Sequence, residues 1–163
     1  MEITLHSPFR HWGEKGKIYL ISDTHFEDGV EKWADTGRIL SNIGNTVGAA
    51  DTIVCLGDCG NEIYFKDISC ALKVLIKGNH DTKNDAVYKE VFDEVYTGPV
   101  CVAPGLLLSH EPVCDGDFRI NIHGHMHTGK PFYTDEQGRY HINVVCPNTD
   151  YTPVELSDIL DQV

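Results

Sequence analysis

Three short β-branched runs in this chain each end in residues that ligate metals well, and that coincidence limits the fold more than any other feature. Lys17–Ser22 (KIYLIS) runs into Asp23-Thr24-His25, Asp51–Leu56 (DTIVCL) into Gly57-Asp58, and Lys73–Lys77 into Gly78-Asn79-His80-Asp81. Apolar runs of this length bounded by turn residues predict buried strands. Between them lie stretches with helical spacing. Val30 to about Ala49 repeats Trp33, Ile39, Leu40, Ile43 and Val47, Asn61 to about Leu72 opens on a capping asparagine, and Asn84 to Phe92 is a third. Alternation of strand and helix predicts an α/β fold. The later chain changes character, with expected strands at Glu94–Thr97, Val100–Ala103, Leu106–Ser109, Ile120–His123 and His141–Cys146, and a closing helix at Val154–Leu160.

Two of these later strands also end in histidines, at Ser109-His110 and at Gly124-His125-Met126-His127. Open α/β sheets bind ligands in the crevice beyond the carboxyl ends of their strands, so five loops are expected to converge there. The glycines before Asp58, Asn79 and His125 suit a backbone that turns sharply to aim those side chains.

A length of 163 residues suits one domain spanning 1–163, burying roughly 70% of its unfolded surface. A charged fraction of 23% and a mean hydropathy of −0.24 describe a soluble globular chain. Apolar runs such as Ile18–Ile21 fall far short of the roughly 20 residues that cross a bilayer. The start carries no basic segment followed by an apolar one, so the expected compartment is the cytoplasm. The net charge of −12 opposes the counterion release that drives binding to duplex nucleic acid. The six cysteines are dispersed, which predicts reduced, buried thiols, and Cys55 and Cys59 alone make a weak zinc pair.

The ordered set D-x-H, G-D, G-N-H-D, an isolated histidine and G-H-x-H resembles the calcineurin-like metallophosphoesterase superfamily, in particular its small uncapped bacterial and phage-type members. The resemblance runs from Ile18 to about Asn148. It implies a four-layer αββα sandwich, two mixed sheets flanked by helices. It also implies two divalent ions, with Asp23, His25 and His127 holding the first, Asn79, His110 and His125 the second, and Asp58 bridging both. Carboxylate, amide and imidazole ligands without a thiolate suit Mn²⁺ first, with Fe²⁺, Zn²⁺ and Ni²⁺ as alternatives. The implied reaction is attack of a metal-bridging hydroxide on a phosphoester, with His80 facing the substrate as hydrogen-bond or proton donor. An uncapped site favours phosphodiesterase over phosphomonoesterase. The implied substrate is a small phosphoester, such as a nucleotide or cyclic nucleotide.

Several residues have two readings. Asp81 either orients His80 or, preferably, caps the following helix. His123 contacts phosphate or makes a structural hydrogen bond, and Asn143, sharing a strand face with His141, either approaches the site or is an ordinary strand residue. Phe26 and Trp33 form an aromatic wall or, preferably, core. His6 and His11 are expected at the surface.

Overall fold

The structure is a computed structural model that describes Met1 and residues 3–163. Its strands are β1 (Ile18–Ile21), β2 (Thr52–Cys55), β3 (Leu72–Ile76), β4 (Glu94–Tyr96), β5 (Val100–Ala103), β6 (Leu106–Leu108), β7 (Ile120–His123), β8 (Phe132–Thr134), β9 (Tyr140–Asn143) and β10 (Val154–Glu155). Its helices are α1 (Thr36–Thr46), α2 (Asp85–Lys89) and α3 (Leu156–Leu160). Two mixed sheets result, ordered β10-β1-β2-β3-β4 and β5-β6-β7-β9-β8. The strands β1 to β4 run parallel, and β10 lies antiparallel against β1. In the second sheet β6, β7 and β9 are parallel and both edges antiparallel.

The period-2 alternation of side chains divides the first sheet between two apolar layers. Ile18, Leu20, Val54, Val74 and Ile76 face inward and pack with Val102, Leu106, Leu108, Ile120 and Ile122 of the second sheet. Tyr19, Ile21, Ile53, Cys55 and Leu75 face outward under Ile39 and Ile43 of α1 and Tyr88 of α2. Helix α3 closes the inter-sheet core with Leu156, Ile159 and Leu160. On the outer face of the second sheet, Ser109, Asn121, His123, His141 and Asn143 are all buried, and the covering chain is irregular rather than helical. No helix among the described residues is long and apolar enough to cross a membrane.

Three expected elements are shorter than their periodicity suggests. Helix α1 begins at Thr36, not near Val30, because Asp35 caps it by accepting the Arg38 amide at 3.0 Å and the preceding loop carries Glu31 and Trp33 toward the centre described below. The span after Asn61 makes only a 3₁₀ turn at Glu62–Phe65, since the chain must return beside β2, where the Ala71 and Leu72 amides bond the Asp51 carbonyl. Val154–Glu155 is an edge strand, so the closing helix starts only at Leu156. The sequence reading also lacked β8 and the 3₁₀ turn Ser7–Gly13, which buries Phe9 and Trp12. All six cysteines are free; Cys55, Cys59 and Cys146 are buried, whereas Cys101 and Cys114 are exposed, contrary to expectation, on an outward strand position and a loop.

Candidate metal centre

The loops after β1 and β2 are joined by backbone hydrogen bonds from Asp23 N–H to Gly57 O and from His25 N–H to Asp58 O, both 3.0 Å. This pairing holds Asp23 (φ 59°), His25 (φ 43°) and Asp58 (φ 52°) in the left-handed region, and His125 (φ 67°) joins them from the second sheet. Such backbone costs a non-glycine residue on the order of 1–2 kcal/mol, and its concentration at one place marks a functional site. Gly57 (φ 96°) has the conformational role expected of it. Gly78 and Gly124 do not have positive φ. A Cβ on Gly78 would strike the Asp58 carboxylate, and one on Gly124 would strike Ser22 Oγ and Asp23 Oδ2, so close approach is what demands glycine there.

Asp23, His25, Asp58 and His127 form one group whose potential ligand atoms lie within 4.8 Å of one another, and Asp58, His110 and His125 form a second. In the first, His25 Nδ1–H donates to Asp28 Oδ2 at 2.8 Å, which turns Nε2 toward Asp23 Oδ1 (3.8 Å) and Asp58 Oδ2 (3.7 Å). That Nε2 is buried and has no hydrogen-bond partner. His127 stands between Glu31 Oε1 (2.9 Å, to Nδ1) and Asp23 Oδ1 (2.8 Å, to Nε2), and the Asp23 contact raises its pKa above the ordinary histidine value. In the second, His110 Nδ1–H donates to the Leu56 carbonyl at 2.8 Å, which turns Nε2 toward the centre. This Nε2 lies 2.9 Å from Asn79 Oδ1, 3.2 Å from His125 Nδ1 and 3.3 Å from Asp58 Oδ2.

Asp58 sits between the groups. Burial opposes its charge, but the His110 imidazole and the His80 amide, which donates to Oδ1 at 2.9 Å, hold its pKa below the usual carboxylate range. Asp23 and Asp58 are buried, and among the described residues their ion-pair partners are all imidazoles, with no lysine or arginine. Two buried carboxylates, a cluster of imidazole and amide ligand atoms and one orphaned imidazole nitrogen make a donor set that suits divalent cations.

A family model described as calcineurin-like phosphoesterase matches residues 16–160. The chain belongs to that family. The structural comparison gives a protein of unknown function from Aquifex aeolicus, 25% identical, covering 90% of this chain and 99% of its own, with a TM-score of 0.71. It also gives a single-site variant of Vps29 from Entamoeba histolytica, 18% identical, covering 77% of this chain and 72% of its own, with a TM-score of 0.48. No curated protein sequence matches. The family is metal-dependent, and the two mixed sheets with flanking helices described above are consistent with its fold; the outer helical layer lies on the first sheet, and irregular chain takes its place on the second.

All seven residues expected as ligands by resemblance to this family converge, and His80 lies beside them, its ring exposed and edge-on to His25 at 5.6 Å. The residues with two readings, and the two outlying histidines, fall as follows. Asp81 does not cap the next helix, which Asn84 caps; instead its carboxylate accepts the amides of Asp58 and Gly78 (2.7 Å each) and of Cys59 (3.1 Å), pinning one metal-site loop to the other. His123 donates from Nδ1 to Gly124 O and is fully buried, and burial pushes its pKa down to about 4. Asn143 bonds the Met126 carbonyl within the loop that carries His125 and His127. Trp33 packs edge-on to His25 (5.9 Å) and His127 (5.4 Å), a wall beside the site, whereas Phe26 is core. His6 and His11 are exposed. Asp28 and Glu31 were missed, because nothing in the local sequence separates a carboxylate that folds back onto a histidine from a solvated one.

Proposed function

We propose that this chain is a phosphodiesterase with a dinuclear centre, one ion held by Asp23, His25 and His127, the other by Asn79, His110 and His125, with Asp58 shared. The observation that carries it is the convergence of Asn79 Oδ1, His110 Nε2 and His125 Nδ1 within 3.2 Å of one another, alongside the orphaned His25 Nε2. Amide oxygen and imidazole nitrogens brought this close can be shared by one divalent cation. The absence of thiolates favours Mn²⁺, with Fe²⁺, Zn²⁺ and Ni²⁺ as alternatives; Cys59, next to Asp58, directs its thiol to Asp81 instead. When bound, the ions supply Lewis-acid polarisation of a phosphoryl oxygen and acidify water.

The chain's own residues do the rest. Asp28 and Glu31 fix the orientation of His25 and His127, and the Leu56 carbonyl fixes the tautomer of His110. His80, outside both ligand groups, is placed to donate a proton to the departing oxygen. Two clefts flank the centre: one of about 470 Å³ reaches Asn79 and His110, and one of about 320 Å³ reaches His80. A diester carries two substituents and a monoester one, so a cleft on each side supports the diester reading. The test is to load the protein with Mn²⁺, count bound ions, and compare bis(p-nitrophenyl) phosphate with p-nitrophenyl phosphate. The expected result is two ions per chain and a higher kcat/KM for the diester. One ion would overturn the dinuclear centre, and a faster monoester would overturn the diester reading.

A further inference from the structure

The two clefts share an electrostatic character. The cleft at His80 is lined by Glu27, Asp28, Asn61 and Lys83 among others, and the cleft at Asn79 by Lys77, Thr97, Ser109 and Glu111. Each contains one lysine, and each lysine is already neutralised. Lys83 Nζ lies 2.6 Å from Glu62 Oε2, and Lys77 Nζ lies 2.8 Å from Asp85 Oδ1 while also covering the Tyr88 ring at 5.3 Å. Each cleft also contains an exposed glutamate, Glu27 or Glu111, whose carboxylate has no hydrogen bond or ion pair among the described residues. Asp28, facing the same cleft as Glu27, is taken up by His25.

The reacting phosphate is drawn by the metal centre, but its substituents must lie in clefts whose lysines are both paired and which present one unpaired glutamate each, the His80 imidazole being committed to the leaving oxygen. Resting on the diester reading, we infer that the enzyme selects phosphodiesters whose two substituents are neutral or cationic, and discriminates against those bearing a further phosphate or carboxylate. Glu27 and Glu111 are the specificity-determining residues. Nucleoside diphosphates, triphosphates and oligonucleotides are thereby disfavoured relative to small diesters carrying one negative charge in total. Because the clefts are alike in sign, the selection holds whichever of them receives the leaving alcohol.

The test uses the Mn²⁺-loaded full chain and three p-nitrophenyl phosphodiesters that share leaving group and reacting bond. Their second alcohol is choline, ethanol or 3-hydroxypropionate, giving a substituent charge of plus one, zero or minus one. The expected order of kcat/KM is choline, then ethanol, then 3-hydroxypropionate. A gap of about five- to tenfold is expected between the extremes at low salt, shrinking as ionic strength rises. Calorimetric affinities of the corresponding methylphosphonate monoesters, which lack the nitrophenolate leaving group, should follow the same order. The double variant Glu27→Gln, Glu111→Gln should narrow the gap, and Glu27→Lys, Glu111→Lys should reverse it. If the three diesters are cleaved with equal kcat/KM, or the anionic one is preferred, the inference fails while the diester reading stands. If none is cleaved and p-nitrophenyl phosphate is, both fail together.

Discussion

The half of the proposed centre built on Asp23 and the half built on Asn79 share Asp58 and differ in nearly everything else. The first has a buried carboxylate of its own, and both its imidazoles are backed by carboxylates, His25 by Asp28 and His127 by Glu31. The second has an exposed amide, and its His110 is backed by a neutral carbonyl. A carboxylate behind an imidazole makes it a more basic ligand than a carbonyl does. On the proposed dinuclear reading, the first half is therefore expected to hold its ion more tightly than the second, on which the larger of the two clefts opens.

The contrast is broken most severely at the residue both halves share. Asp58→Asn is expected to lose the dinuclear centre and to cut turnover by roughly 10³-fold or more, with the fold kept. Elemental analysis that finds two tightly held ions in this variant would remove Asp58 from its bridging role. His80 belongs to neither half, so His80→Ala should retain both ions and slow turnover by roughly 10²–10⁴-fold. The loss should be smaller for a nitrophenolate leaving group than for an alkoxide, which needs the proton; release of an ion on this substitution would make His80 a ligand and void the assignment. The carboxylates behind the first half are tested by Asp28→Asn and Glu31→Gln, which should weaken metal affinity about 10- to 100-fold at that half alone. Chelator titration reads this as two release steps drawing closer together, and equal weakening of both steps would show that the halves are not distinct. The smallest effect is expected from Asn79→Asp, which gives the second half a carboxylate of its own. It should raise the chelator concentration needed to release the more weakly held ion, by about three- to tenfold. No change there would mean that charge is not what separates the halves.

The strands that carry the centre were legible because each is a short apolar run stopped by Asp, Gly or Asn, and period 2 then buries both faces. The converging ligands were legible for the same reason, since every one lies in the loop that follows a strand, close to the strand's end. What stayed hidden depends on distance in space. Val30 to Asp35 has apolar spacing that suits a helix, yet it is pulled out as a loop by Glu31 meeting His127, 96 positions along the chain. Asp81 sits where a helix cap belongs in sequence, but two amides of the loop after β2 and one of its own loop claim its carboxylate first. The short edge strands β8 and β10 carry too few residues for periodicity to register, and pairing with a neighbour is all that defines them.

The left-handed backbone at Asp23, His25, Asp58 and His125 has a consequence for how such a chain ages in evolution. At each of the four, glycine would relax the main chain, and at each glycine would erase a side chain of the centre. Stability and catalysis therefore pull in opposite directions at the same positions. A lineage relieved of the reaction but still needing the fold would be expected to gain stability as it lost the centre, and glycine at these four positions would be the trace of that release.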